Sequence, residues 1–183
     1  MKILIFEGIA TSGKTTVISL LSQQLKNNHF SYKLITEEES LLRENTNNFA
    51  ETLSAIIIEV EAKSLDVILF DRFYLSHAFR NHLTAKEIVN IESRLAKHDT
   101  KIVFLTIEPS KILSRIENSM ELRGTVWSKH VCAKGNLAEI EHYYCDQQSK
   151  LANAVQGSSL PSLIFDTTHN GYKKISDRIF TLL

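Results

Sequence analysis

Gly8-Ile9-Ala10-Thr11-Ser12-Gly13-Lys14-Thr15 follows the apolar run Ile3-Leu4-Ile5-Phe6 and precedes Val17, Leu20, Leu21 and Leu25 at helical spacing. The eight residues match G-x-x-x-x-G-K-[ST], a phosphate-cradling loop between a first strand and a first helix. Glycine at both ends lets the backbone turn its N–H groups onto phosphate oxygens. The helix that follows adds the positive end of its dipole. Gly8, Thr11, Ser12, Gly13, Lys14, Thr15 and Thr16 are therefore expected to hold a nucleotide triphosphate. Lys14 would reach the β- and γ-phosphates, and the Thr15 hydroxyl would ligate Mg²⁺.

Outward from this loop, short apolar runs alternate with helical patterns. Residues 3–6, 32–35, 67–70, 102–107 and 163–165 read as strands, and their unbroken apolar character is that of strands covered on both faces. Phe49, Leu53, Ile56, Ile57 and Val60 share one helical face. Thr84-x-x-Glu87 is a capping box that opens a helix burying Ile88, Ile91 and Leu95. Pro109 suits a first helical turn, with Ile112, Leu113 and Ile116 inward. A longer helix is expected over 136–155, an exposed loop at Gly157-Ser158-Ser159, and a last helix marked by Ile175, Ile179 and Leu182. The alternation predicts a single domain over residues 1–183, a parallel sheet sandwiched by helices with right-handed crossovers. Ligands of such sheets lie at the carboxyl ends of the strands. Glu37-Glu38-Glu39, Asp71-Arg72, Glu108 and Asp166 should then converge on the phosphate loop.

Bulk properties remove several function classes. The chain has 183 residues and a formal net charge of zero, so no basic field suggests a nucleic acid polymer as partner. No apolar run is long enough to span a membrane. Two cysteines, Cys132 and Cys145, fit neither a metal pair nor a disulfide framework. The start of the chain is too short in apolar residues for a signal peptide. A cytoplasmic protein is the expectation.

Asp71-Arg72 is the second strong feature. A carboxylate closing a buried strand can hold Mg²⁺ or its waters. The adjoining arginine offers a planar fork for bidentate phosphate binding. Asp166 closes a similar strand, and capping of the next turn is its expected role. Arg115 and Arg123, with Lys129, fall between two helical patterns, with Gly124 as a hinge. They read as a small lid over about residues 115–135, whose arginines would neutralise charge on a transferring phosphoryl group. Tyr143 and Tyr144 read as helix packing, and the histidines show no metal spacing.

These motifs carry a resemblance. Phe6-Glu7-Gly8-Ile9 with Ser12-Gly13-Lys14-Thr15-Thr16 resembles the opening of thymidylate kinases. Asp71-Arg72-Phe73, Ser76 and Ala78-Phe79 are similar to that family's D-R-[YF]…S…A-Y segment. Leu105-Thr106-Ile107-Glu108-Pro109 and Ser114-Arg115-Ile116 resemble its next strand and the helix leading into its lid. The resemblance implies a three-layer P-loop NTPase fold with five parallel strands. It also implies ATP and Mg²⁺ on the loop, a nucleoside monophosphate acceptor, and a homodimer formed through helices flanking the third strand. Lys14, Thr15, Asp71, Arg72 and Arg115 match its functional positions, and His77 lies in the segment that lines its acceptor pocket.

The departures concern the acceptor. Ala10-Thr11 stands where the family has an aspartate, and Thr36-Glu37-Glu38-Glu39-Ser40 replaces its Thr-Arg-Glu-Pro-Gly-Gly. Residues 56–61 carry glutamates and no base-stacking aromatic. A monophosphate beside three glutamates needs Arg72, Arg43 and Arg80 as compensation. An acceptor hydroxyl needs instead a general base, for which Glu38 is the candidate. A nucleotide switch or ATPase without a small acceptor is the reading from another class.

Overall fold

The computed structural model describes residues 1–41, 49–81 and 83–183. Five strands form one sheet: β1 (Lys2–Glu7), β2 (Tyr32–Ile35), β3 (Val67–Asp71), β4 (Asp99–Thr106) and β5 (Ser162–Asp166). Their order is β2-β3-β1-β4-β5, and every neighbouring pair is parallel. Phe6 lies opposite Asp71 and Val103, and Thr106 opposite Asp166, so the carboxyl ends gather along one edge. The chain winds to one side of β1 through β2 and β3. It then returns across β1 to lay down β4 and β5. The crevice left beside β1 is where such sheets bind ligands.

Alternation along β1 sets the layers. Leu4 and Phe6 pack with Leu69, Val103 and Leu105 against α1 (Lys14–Asn27) and α9 (Tyr172–Phe180). Ile3 and Ile5 pack with Ile68, Phe70, Ile102 and Phe104 on the other face. That face is covered by α3 (Phe49–Glu61), α4 (Tyr74–Asn81), α5 (Ala85–Leu95), α6 (Pro109–Arg123) and α8 (Leu137–Gly157). The short helices α2 (Glu37–Leu41) and α7 (Thr125–Cys132) complete the order. This is the three-layer arrangement expected from the strand–helix alternation. No described helix is long and apolar enough to cross a membrane.

Local signals account for most boundaries. Thr84 Oγ1 accepts from Glu87 N, and Glu87 Oε2 accepts from Thr84 N, which makes the expected capping box. Asn136 and Glu139 form a second box that opens α8. Three expectations change. β5 is a half-exposed edge strand with Ile164 63 % accessible, because no strand and little helix cover its outer side. β4 stops at Thr106, since Gln148 of α8 takes both backbone groups of Ile107 (N to Oε1 2.9 Å, Nε2 to O 2.8 Å). Most of the span 115–135 is helical: Arg115 sits within α6, and α6 meets α7 at Gly124, whose φ of 78° suits glycine.

The expected loop at 157–159 is exposed at Gly157 and Ser159, and it also forms a polar staple. Gly157 ends α8, and Ser158 Oγ and Ser159 N and Oγ donate to the buried Glu92 carboxylate of α5 at 2.7, 2.9 and 2.6 Å. Tyr74 Oη of α4 donates to the same group at 2.7 Å. Burial pushes the Glu92 carboxyl up, but the donors from Ser159, Ser158 and Tyr74 outweigh it and hold the group below its ordinary value. Its stabilisation is therefore present above the unfolded pKa and lost as pH falls through the lower folded value. Glu92→Ala should cost about 2–4 kcal/mol by stranding buried donors. The thermal midpoint should drop by roughly 5–12 °C at pH 7 and by clearly less near pH 3, with scanning calorimetry as the check. An unchanged midpoint at pH 7 would refute the staple.

Candidate functional site

The loop over residues 8–15 leaves β1 and enters α1 through left-handed backbone. Gly8 has φ 147°, and a Cβ there would lie 2.6 Å from Leu105 O, so only glycine fits. Gly13 has φ 87° at the N-cap of α1, with no side chain capping the first turn. Its N–H groups are thus left for a ligand. A Cβ on Gly13 would lie 2.2 Å from the Tyr172 ring, which packs across the loop from the start of α9. Thr11 is left-handed despite its side chain, with φ 68°.

Lys14 is buried in this loop. Its Nζ donates to Gly8 O at 2.8 Å and Ile9 O at 2.9 Å. Burial first, and the Arg72 guanidinium second, bring its pKa from 10.5 down to about 7, against the pull of Asp71, Glu7 and Glu37. Thr15 and Thr16 stand exposed on the first turn of α1 and line a cleft of about 580 Å³ with Lys14, Asp71 and Arg72. Burial raises the Asp71 carboxyl, while Lys14 and Arg72 pull it down. Thr15 and Asp71 face the same cleft, a hydroxyl and a carboxylate suited to a hard divalent cation whose other ligands are phosphates and water. Among the described residues no group of three His, Cys, Asp or Glu could hold a metal by itself.

Arg72 is also left-handed, with φ 63°, and its N–H bonds back to Phe6 O at 2.9 Å. That turn brings the guanidinium beside the loop. Nη1 donates to both oxygens of Glu37 at 2.8 Å. Nε is buried with no hydrogen-bond partner among the described residues. Glu37 is therefore the inward member of the glutamate cluster. Glu38, expected as the candidate base, is exposed, and Glu39 caps Thr36 N at 2.9 Å from the third position of the turn. α2 begins at Glu37, so the three side chains fan out at 100° steps and only one meets Arg72. Beneath Arg72, the buried Glu7 carboxyl accepts from Phe73 N, Ser76 N and Ser76 Oγ and fixes the start of α4. Burial raises the Glu7 carboxyl.

Arg115 is not on a loop. Within α6, Nη1 donates to Thr167 O at 2.6 Å, and Nη2 to Thr11 O at 2.8 Å and to Tyr172 Oη. It ties α6 to the phosphate loop and to the β5–α9 connection. Arg123 ends α6 and lies over the Trp127 ring, 5.1 Å from its centroid. Both arginines line the large cleft, as do Asn118, Trp127, Thr168, Asn170 and Tyr172, which the motifs did not single out. Thr168 and Asn170 follow β5, where the strand-end rule could have found them. Asp166 accepts from Thr168 N at 2.8 Å and caps the turn.

A smaller cleft of about 190 Å³ lies on the far side of Arg72, lined by Gly8, Ser76, Tyr143, Asp146, Gln147 and Lys150. Tyr144 is buried as expected, but Tyr143 is 38 % exposed and faces this cleft rather than the core. His77, expected in the acceptor pocket, is fully buried on α4 and lines neither cleft. Successive residues of α4 diverge by 100°, so Ser76 takes the cleft-facing position. Arg43 and the Arg80 side chain lie outside the described residues.

No protein-family model matches the chain, and no curated protein matches it. Solved structures do. The YorR protein of Bacillus subtilis, in complex with phosphorylated GDP, superposes with a TM-score of 0.67 at 21 % identity, covering 98 % of this chain and 94 % of that one. Shikimate kinase from Bacteroides thetaiotaomicron gives 0.57 at 16 %, covering 100 % and 97 %. Shikimate kinase from Aquifex aeolicus gives 0.52 at 16 %, covering 100 % and 95 %. These likenesses are of architecture, and the thymidylate kinase resemblance rests on the sequence motifs alone. The chain has the α/β fold of P-loop kinases, with a five-stranded parallel sheet between helices.

Proposed function

We infer that the chain is an ATP-dependent kinase of a small molecule, with a nucleoside monophosphate as acceptor in the manner of thymidylate kinases. The observation that carries this reading is that Arg72 lines both clefts, so the large and small pockets meet at one guanidinium. Among the described residues the large cleft has four cations (Lys14, Arg72, Arg115, Arg123) against two carboxylates (Glu37, Asp71). That excess of two positive charges complements a triphosphate whose charge is half offset by a divalent cation. Thr15 and Asp71 would hold Mg²⁺, which would supply positive charge against the phosphates.

The chain's own groups do the rest by position and charge. The loop N–H groups and Lys14 hold the phosphates. Arg115 keeps Thr11 and α6 at a fixed spacing, and Arg123 faces the phosphoryl group in transit. The acceptor enters the small cleft, where Arg72 and Lys150 are the cations. A phosphate oxygen would give the unpartnered Arg72 Nε its acceptor, removing a cost of about 1–3 kcal/mol. Supporting this class of chemistry, two structural neighbours are small-molecule kinases by name, and one holds a guanine nucleotide. Either ATP or GTP is therefore tried as donor.

A second reading follows from Glu37. A carboxylate held bidentate by Arg72 at the meeting point of the clefts is placed to accept a proton from an acceptor hydroxyl. A nucleoside or other hydroxyl compound would then be the acceptor. An ADP-release screen across nucleosides, their monophosphates and small hydroxyl compounds separates the readings. Stimulation by monophosphates is expected, with Glu37→Gln changing kcat less than about tenfold. Stimulation by hydroxyl compounds alone, with Glu37→Gln losing about 10²–10⁴ in kcat, would establish the second reading instead. Nucleotide hydrolysis that no acceptor stimulates would favour a switch.

Lys14→Ala should lower kcat by about 10²–10³-fold or more while the far-ultraviolet circular dichroism is unchanged. A fully active variant would sink the kinase reading. Nucleotide binding should also depend on pH. Free Lys14 loses its proton near pH 7, and bound phosphates favour the ammonium form, so binding takes up a proton above pH 7. Affinity should fall as pH rises from 7 to 9. Calorimetry in buffers of different ionisation enthalpy should show the uptake, and Lys14→Arg should abolish it.

A further inference from the structure

Three arginines of the large cleft are secured in three different ways. Arg72 is paired with Glu37, and Arg115 is spent on two backbone carbonyls and a tyrosine hydroxyl. Arg123 is exposed, and among the described residues no carboxylate lies within ion-pair distance of it. What it has is the Trp127 ring, 5.1 Å from its guanidinium. Trp127 is in turn immobilised. Its Nε1 donates to the buried Ser119 Oγ at 2.8 Å, and Ser119 Oγ donates to Ile116 O at 2.7 Å. The His130 ring stacks on it at 5.4 Å with an interplanar angle of 21°.

We propose that Trp127 is a positioning residue for Arg123, holding the guanidinium at the cleft by stacking so that its charge and its donors remain free for the transferring phosphoryl group. The proposal rests on the large cleft being the phosphoryl-transfer site. An exposed arginine samples many rotamers, and ordering it at each turnover costs free energy. An ion pair would order it but would also neutralise the charge that catalysis uses. A ring face attracts the cation through its quadrupole and, unlike a carboxylate, leaves its charge unneutralised. Trp127 is four residues beyond Arg123 across the Gly124 corner, so α7 exists in part to return the ring onto the end of α6. Ser119, one turn earlier on α6, fixes that ring from below.

The test uses the full chain with a stimulating acceptor from the screen. Arg123→Ala should lower kcat by about 10²-fold or more, as loss of a phosphoryl-directed arginine does. Trp127→Ala should lower kcat by about tenfold, with KM for the nucleotide changed less than twofold. Trp127→Phe should recover most of the loss, and Ser119→Ala should give a smaller loss of the same kind. Binding of Mg·ADP should be unchanged in Trp127→Ala, while binding of Mg·ADP with aluminium fluoride, which mimics the phosphoryl group in transit, should weaken. In an Arg123→Ala background, Trp127→Ala should have no further effect. If the two effects instead multiply, or if both complexes weaken equally, Trp127 acts through folding or nucleotide binding and the proposal is overturned. A wild-type chain that binds neither complex would overturn the phosphoryl-transfer reading itself, a result distinct from the first.

Discussion

A buried cation organises this protein. Lys14 lies under the surface at the carboxyl edge of the sheet, and its ammonium is satisfied by Gly8 O and Ile9 O of its own loop. The loop that presents those carbonyls is left-handed at Gly8, Thr11 and Gly13, and Ser12 N closes it onto Ile9 O at 3.3 Å. The positions of neighbouring groups follow. Asp71 and Glu7 lie close enough to pull the lysine toward its charged form, and Arg72 is close enough to oppose them. The loop is thus a pocket for negative charge before any ligand arrives.

The left-handed backbone at Thr11 and Arg72 carries strain that the fold offsets. Thr11 O is held by Arg115, and Arg72 N by Phe6 O. Both are anchored to elements of the rigid sheet or to a helix packed on it. Tyr172, at the start of α9 in the same layer as α1, covers Gly13, while Arg115 reaches the loop from α6 across the sheet edge, so that α1, α6 and α9 all bear on one short loop. Strained conformations of this kind persist where surrounding contacts over-determine them. Here they set the place where the two clefts meet.

Much of this was legible in the residues. The phosphate loop, the parallel alternation, the Thr84 box and the first-turn Pro109 are local signals, and each depends on a few neighbours in sequence. Glu37 against Glu38 was not legible. Three consecutive glutamates are equivalent in a sequence, and the choice falls to the phase at which α2 begins. Arg115 reads with Arg123 as a lid arginine, while its partners are carbonyls 52 and 104 residues away. Tyr143 and Tyr144 read alike, yet α8 turns one to the core and the other to a cleft. His77 and Ser76 differ in the same way on α4.

The sequence by itself determined the phosphate-loop motif and its place after the first strand, because such a loop is built from eight adjacent residues and needs nothing distant to be recognised. It likewise determined the layer architecture, because unbroken apolar runs require cover on both faces of the sheet and period-3.6 patterns mark the inward face of each helix. Only the tertiary structure decided which charges are committed. Whether an arginine is tied to a carboxylate, a carbonyl or a ring depends on contacts between segments 35, 104 and four residues apart, and on helix phase. Those contacts leave Arg72 shared between two clefts, Arg115 spent on the scaffold, and Arg123 over the Trp127 ring at the end of α6.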